Sequence, residues 1–147
     1  MESRIDYYAA APDVMKAMLA LEKAVATSGL EKSLIELVKT RASQINGCAF
    51  CIDMHTTDAM KGGETATRLL LLDAWREAPF YSSRERAALA WTEALTLISE
   101  THAPDEDWDA LKAEFSEGEI VKLSLLVATI NAWNRLAIGF RSVPVGK

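Results

Sequence analysis

Residues 36–55 read ELVKTRASQINGCAFCIDMH, and the last eight of them hold both cysteines and one of the two histidines of a 147-residue chain. At about 100° per residue, a helix over this segment sets Cys48 and His55 within roughly 20° of each other, with Cys51 about 60° away. All three then share one face over two turns. Asn46-Gly47 just ahead of them is a turn signal that can end one helix and begin the next. The cysteines would then sit near a helix N-terminus, where free amides and the helix dipole stabilise a thiolate. A nearby imidazole can take the thiol proton or hold the thiolate as an ion pair. Such a pair can attack a peroxide or a disulfide sulfur and then resolve by forming its own disulfide.

Two other readings fit the same eight residues. Buried cysteines behave as small hydrophobes, so the pair can be core packing. Zinc would take Cys48, Cys51 and His55 and would need a fourth ligand, for which His102 is the remaining soft side chain. Haem attachment does not fit, because Ile52 rather than histidine follows Cys51. A thioredoxin-like fold does not fit either, because no βαβ pattern surrounds the motif.

Outward from this stretch the chain punctuates itself into helices. Pro12 can open a first turn, and Val14, Met18, Leu21 and Val25 recur at helical spacing until Ser28-Gly29. Leu34, Val38, Ala42 and Ile45 form a second stripe that ends at Asn46-Gly47, and Gly62-Gly63 closes the segment begun at Cys48. ETATRLLLLDAWREAPF (64–80) follows as a helix that stops at Pro79. Ser82 with Glu85 and Ser116 with Glu119 match the capping box. The helices expected after them are RERAALAWTEALTLI (84–98) and GEIVKLSLLVATINAWNRLAIGF (118–140). Between these, PDEDWDALKAEF (104–115) opens on proline and carries acids in its first turn. With no alternating segment bounded by turns, the expectation is all-α, with six or seven helices. The last helix is apolar on more than one side, with Ile120, Leu123, Val127 and Ile130 on one stripe and Leu125, Leu126, Trp133 and Leu136 around it. That pattern favours burial against a second copy of the chain.

Half of the residues are hydrophobic and a quarter charged, with a net charge of −5. One ordinary domain over 1–147 can bury a core at this length. The acidic balance and the absence of any Lys/Arg block argue against nucleic acid as a partner. MESRIDYYAAAPDV has no apolar core flanked by basic residues, so it is not expected to act as a signal peptide. Lys122, Asn131, Asn134 and Arg135 interrupt the most apolar stretch, which a membrane-spanning helix would rarely carry. The expected location is the cytoplasm, where a close cysteine pair is more often catalytic or metal-binding than a structural bridge.

Glu36, eleven residues, C-x-x-C, three residues and His55 together resemble the core motif of the AhpD-like alkylhydroperoxidase family, within the carboxymuconolactone decarboxylase superfamily. ALAWTEALT (88–96) and NAWNRLAIGF (131–140) are similar to that family's later helices. The resemblance implies an all-helical AhpD-like domain over 1–147 with the C-x-x-C at the start of a helix. It also implies an obligate oligomer, a trimer or a hexamer of paired trimers, that reduces hydroperoxides through a dithiol and needs no bound cofactor. By position, Cys51 would attack peroxide and Cys48 would resolve, with His55 and Glu36 as a proton relay. Electrons would come from a lipoamide-type dithiol, and a peroxiredoxin partner would be recharged. The founding members carry a second histidine inside the C-x-x-C, where this chain has Ala49-Phe50. The decarboxylase branch lacks the dithiol and matches poorly.

Glu36 has a competing role, because Ser33-Leu-Ile-Glu36 also fits a capping box and leaves Glu36 off the apolar stripe, among Lys32 and Lys39. Glu93 is a weaker candidate for a second acid near the site. Asp53 and Thr56 read as helix surface and His102 as a solvated loop residue. Trp91 and Trp133 fit apolar stripes and read as core. A zinc-binding protein and a non-catalytic redox sensor remain the other functional readings of the cluster.

Overall fold

The computed structural model describes residues 1–144, and among them the chain is all helical with no strand. The helices are α1 (Tyr7–Ala10), α2 (Pro12–Ala26), α3 (Lys32–Asn46), α4 (Ala49–Lys61), α5 (Ala66–Leu70), α6 (Ser83–Thr96), α7 (Ile98–Thr101), α8 (Asp105–Glu114) and α9 (Glu117–Phe140), with a 3₁₀ turn at Leu72–Ala74. Six of them run ten residues or more, as expected from the punctuation; the short α1 and α7 carry no periodic signal.

α3 is the hub, packing against α4, α6 and α9, while α8 covers α6 and α2 lies on α9. Leu37, Val38, Leu123, Leu126 and Ile130 have essentially no exposed surface. A buried side chain of this size contributes roughly 2 kcal/mol. α9, 24 residues long, is apolar enough by length and composition to cross a bilayer. Its Ile120–Leu123–Val127–Ile130 stripe is nevertheless buried inside the helical core, and so are Asn131 and Asn134.

The helix boundaries follow the chemistry of the ends. Both capping boxes form: Ser82 accepts from the Glu85 amide and Ser116 from the Glu119 amide, and each glutamate reaches back to its cap. Gly47 ends α3 in the left-handed region at φ 69°, with open space where a Cβ would point. The backbone angle, not crowding, is what favours glycine there.

Three expectations are corrected. Residues 64–80 do not form one helix. α5 ends at Leu70, and a 3₁₀ turn and irregular turns follow. Tyr81 Oη donates to the carbonyl of Arg68, the one that a continuing helix would use, and Arg86 donates to the carbonyls of Arg76 and Ala78. Side chains thus satisfy this backbone in place of a ladder. On α2 the buried face is set by Met15 and Val25, and Val14 is 69% exposed; Glu22 on the same helix turns to the partners described below. On α9, Leu126 is buried within its own chain while Leu125 and Val121 are exposed.

Arg84 ties the start of α6 to the start of α9 through Glu119 (2.7 Å) and also reaches Glu31 (2.9 Å). Hydrogen bonds from Arg84 and the Ser116 amide lower the Glu119 carboxyl from 4.5 to about 2, against a small opposing effect of burial. A depressed carboxyl stabilises the fold above its unfolded value and loses that contribution as pH falls toward 2. Denaturant titrations of the wild type should therefore show stability declining between about pH 4.5 and 2, and Glu119→Gln should flatten part of that decline. Parallel curves for the two proteins would show that this contact does not carry the effect.

Candidate functional site

Cys48 is the N-cap of α4, and its sulfur accepts from the Cys51 amide at 3.3 Å. The two cysteines are joined as a disulfide with Cα atoms 5.3 Å apart. Both are buried and pack against Ala137 of α9, with Phe50 alongside. The small side chain of Ala137 is what lets the bonded pair lie against that helix. The C-x-x-C thus stands at the start of a helix, as the spacing suggested.

His55 follows Cys51 by four residues, on the same face of α4 and about one turn along. It is buried, and its Nδ1 lies 3.0 Å from Glu36 Oε2 on α3. A carboxylate only accepts, so Nδ1 carries the hydrogen in this pair and Nε2 is left to exchange a proton. Glu36 is not a cap: α3 begins at Lys32 with Glu31 at the N-cap position and no side-chain cap bond. Its carboxylate is turned toward α4 instead. The four residues singled out in sequence therefore converge in two bonded pairs, Cys48–Cys51 and Glu36–His55.

Cys51 and His55 line a cleft of about 220 Å³ together with Tyr7, Tyr8, Glu22, Phe50, Met54, Trp133 and Ala137. Cys48 is absent from that lining. Partial burial, with Tyr7 alongside, raises the Tyr8 phenol above its ordinary 10.0, so it faces the cleft uncharged at neutral pH. Glu22 is a wall of the cleft with both oxygens committed: one pairs with the buried ammonium of Lys39, and the other accepts from Trp133 Nε1 at 3.0 Å. Trp133 is therefore a cleft wall, where its apolar stripe had suggested core; Trp91 is in the core, donating to Ser124 Oγ at 2.9 Å.

A second polar set holds the α3–α4 turn to α9. The Asn46 amide donates to Asn131 Oδ1 and Asn134 Oδ1, both at 2.9 Å, and Asn134 donates to Ser43 Oγ at 3.0 Å. Asn131 in turn donates to Thr96 Oγ1 at 3.0 Å. Tyr7, Tyr8, Glu22, Lys39 and this asparagine set were missed from sequence. The polar interruptions at Asn131 and Asn134 were the one visible signal.

Glu93 does not join the site. Burial acts to raise its carboxyl, but hydrogen bonds from Trp75, Arg76 and Arg41 outweigh it and leave it below the ordinary value. It cements α6 to α3 and the 3₁₀ turn. His102 is exposed at the end of α7. Among the described residues no three His, Cys, Asp or Glu side chains form a metal-holding group, so the zinc set of Cys48, Cys51, His55 and His102 is not assembled. Asp53 is exposed, and Thr56 bonds back to the Ile52 carbonyl at 2.7 Å, as surface positions of α4.

The model of the carboxymuconolactone decarboxylase family matches residues 12–94, more than half of the chain. An uncharacterized Bacillus subtilis protein, YdfG, is 46% identical over 138 residues, covering 94% of each chain. A crystal structure of an Agrobacterium tumefaciens protein superposes with a TM-score of 0.97 at 47% identity, over 99% of this chain and 100% of that one. That protein is described as one of unknown function and a candidate AhpD antioxidant-defence protein. A peroxidase-related protein of Ralstonia eutropha, described as an AhpD core, shares the fold with a TM-score of 0.81 at 21% identity, over 93% and 73% of the two chains. The chain belongs to the carboxymuconolactone decarboxylase family, as an AhpD-like member. Its C-x-x-C pair and paired histidine and glutamate make it consistent with a redox role.

Proposed function

We propose that this protein is a dithiol peroxidase of the alkylhydroperoxidase type, and that Cys51 is the thiol that meets the peroxide. The observation carrying this reading is that Cys51 and His55 line one cleft while Cys48 does not. His55, oriented by Glu36, takes the Cys51 proton. The thiolate attacks the outer peroxide oxygen; an S–O bond forms, the O–O bond breaks, and the leaving alkoxide takes the proton from His55. Cys48 then attacks the sulfenic sulfur, forming the disulfide and releasing water. The sum is ROOH plus dithiol giving ROH, water and disulfide, with two electrons passing from sulfur to oxygen. A second dithiol, of the lipoamide class, reopens the disulfide by exchange, and the dithiol so restored can in turn reduce the disulfide of a peroxiredoxin partner. The absence of the motif's inner histidine leaves His55 and Glu36 to carry the proton alone. This chemistry requires no bound cofactor and suits a cytoplasmic protein.

The same reading includes a homo-oligomer. Val121 and Leu125 expose 67% and 43% of their surface along one stripe of α9, and a second copy would cover it. The mass in solution, by light scattering at micromolar concentration, should be a multiple of 16.1 kDa, with three or six copies as the expected state. A monomer would overturn this part.

For the chemistry, Cys48→Ser should consume one equivalent of hydroperoxide and leave a sulfenic acid on Cys51 that a dimedone-type reagent traps. Cys51→Ser should not consume it at the site, and His55→Ala should slow the first step by about a hundredfold. Trapping on Cys48 in the Cys51→Ser variant, with none in the reverse case, would exchange the two roles.

A further inference from the structure

The chemistry-bearing residues Glu36, Cys48, Cys51 and His55 all lie within the segment that the family model matches, 12–94. Much of the cleft wall does not. Tyr7 and Tyr8 come from α1, ahead of that segment, and Trp133 and Ala137 come from α9, beyond it. The whole chain has 11 aromatic residues (four Trp, three Tyr and four Phe). Four of them, Tyr7, Tyr8, Phe50 and Trp133, surround this one cleft beside Cys51. The wall is also held in place. Tyr7 packs on Phe140 with ring centroids 5.5 Å apart, and Arg4 anchors the segment before α1 to the carbonyl of Gly139 at 2.9 Å. Trp133 is fixed through its Nε1 by Glu22, which Lys39 holds from behind.

Among the described residues the lining offers no unpaired cation. Its one carboxylate, Glu22, is neutralised by Lys39, and its other polar groups are the Tyr7 and Tyr8 phenols and the imidazole. A ligand carboxylate or phosphate would lose its hydration here without a charge partner. An uncharged ring would meet ring faces and edges and the thioether of Met54, which favour aromatic contacts. The size agrees with this. A cavity of about 150 Å³ is known to hold benzene in another protein, so about 220 Å³ has room for one ring with a short substituent.

We infer that the cleft selects a monocyclic, uncharged aryl hydroperoxide, with Trp133 as the specificity-determining wall. The inference rests on the peroxidase reading for its reaction and on the lining alone for its ligand. The bonds made and broken are those given above, with R an aryl-substituted carbon; the alcohol leaves and the dithiol becomes the disulfide.

Cumene hydroperoxide and tert-butyl hydroperoxide differ by a phenyl group in place of a methyl group. The test compares their second-order rates of disulfide formation in the reduced protein, with hydrogen peroxide alongside. Cumene hydroperoxide should react about tenfold or more faster than tert-butyl hydroperoxide. Trp133→Leu should collapse that ratio toward one, and Trp133→Phe should restore most of it, although both variants lose the bond to Glu22. Equal rates for the two hydroperoxides in the wild type would overturn the inference. So would equal loss of the ratio in the Leu and Phe variants, because Trp133 would then act only through Glu22. Binding of 2-phenylpropan-2-ol and of tert-butanol to the oxidised protein, followed by tryptophan fluorescence, separates this inference from the peroxidase reading. Tighter binding of the aryl alcohol with no peroxide turnover would sink the reaction and keep the pocket. Equal weak binding, with turnover intact, would sink the pocket alone.

Discussion

The site depends on a two-residue reversal at Asn46-Gly47. Gly47 takes φ 69°, a left-handed angle that costs other residues more, so α3 ends at Asn46 and α4 begins at Ala49. The two helices fold back on one another as a hairpin. At about 1.5 Å per residue, Glu36 lies roughly 16 Å back from the turn and His55 roughly 12 Å forward of it. The two are brought face to face across the hairpin at 3.0 Å. The spacing of the motif is therefore the length of two antiparallel arms measured from one bend. The same reversal leaves Cys48 at the cap of α4, with its sulfur on the Cys51 amide.

A bend is useful only if it is held, and α9 holds it. Asn46 at the turn donates to both Asn131 and Asn134, and Ala137, further along the same helix, packs on the cysteine pair. Asn134 is fully buried and bonded on both its oxygen and its nitrogen. An unsatisfied group in its place would cost about 1–3 kcal/mol. The polar residues that break the apolar run of α9 are thus the ones that fix the geometry of the site. Lys39, one turn along α3 from Glu36, plays a parallel part, clamping Glu22 and through it Trp133.

Local chemistry was legible in the sequence. The turn at Asn46-Gly47, the two capping boxes and the clustering of Cys48, Cys51 and His55 each depend on residues within a few positions of one another. What was not legible depends on residues far apart in the chain. Residues 64–80 read as one helix, but the Tyr81 hydroxyl, from beyond the segment, takes the Arg68 carbonyl that a continuing helix would use. Trp133 lies on an apolar stripe, yet its indole bonds to Glu22, 111 residues away. Glu36 was poised between a cap and a relay, and only the helix start at Lys32 and the direction of its carboxylate separate the two.

The central claim is that Glu36 acts on Cys51 through His55. The direct measurement is the pH profile of iodoacetamide alkylation of Cys51 in the reduced Cys48→Ser protein, with and without Glu36→Gln. With Glu36 present, alkylation should reach half its plateau rate at a lower pH than in the Glu36→Gln protein, which lacks the carboxylate charge. Adding Glu36→Gln to a His55→Ala variant should shift the curve little further, because Glu36 acts through His55. Superimposable profiles for the Glu36 and Glu36→Gln proteins would contradict the account.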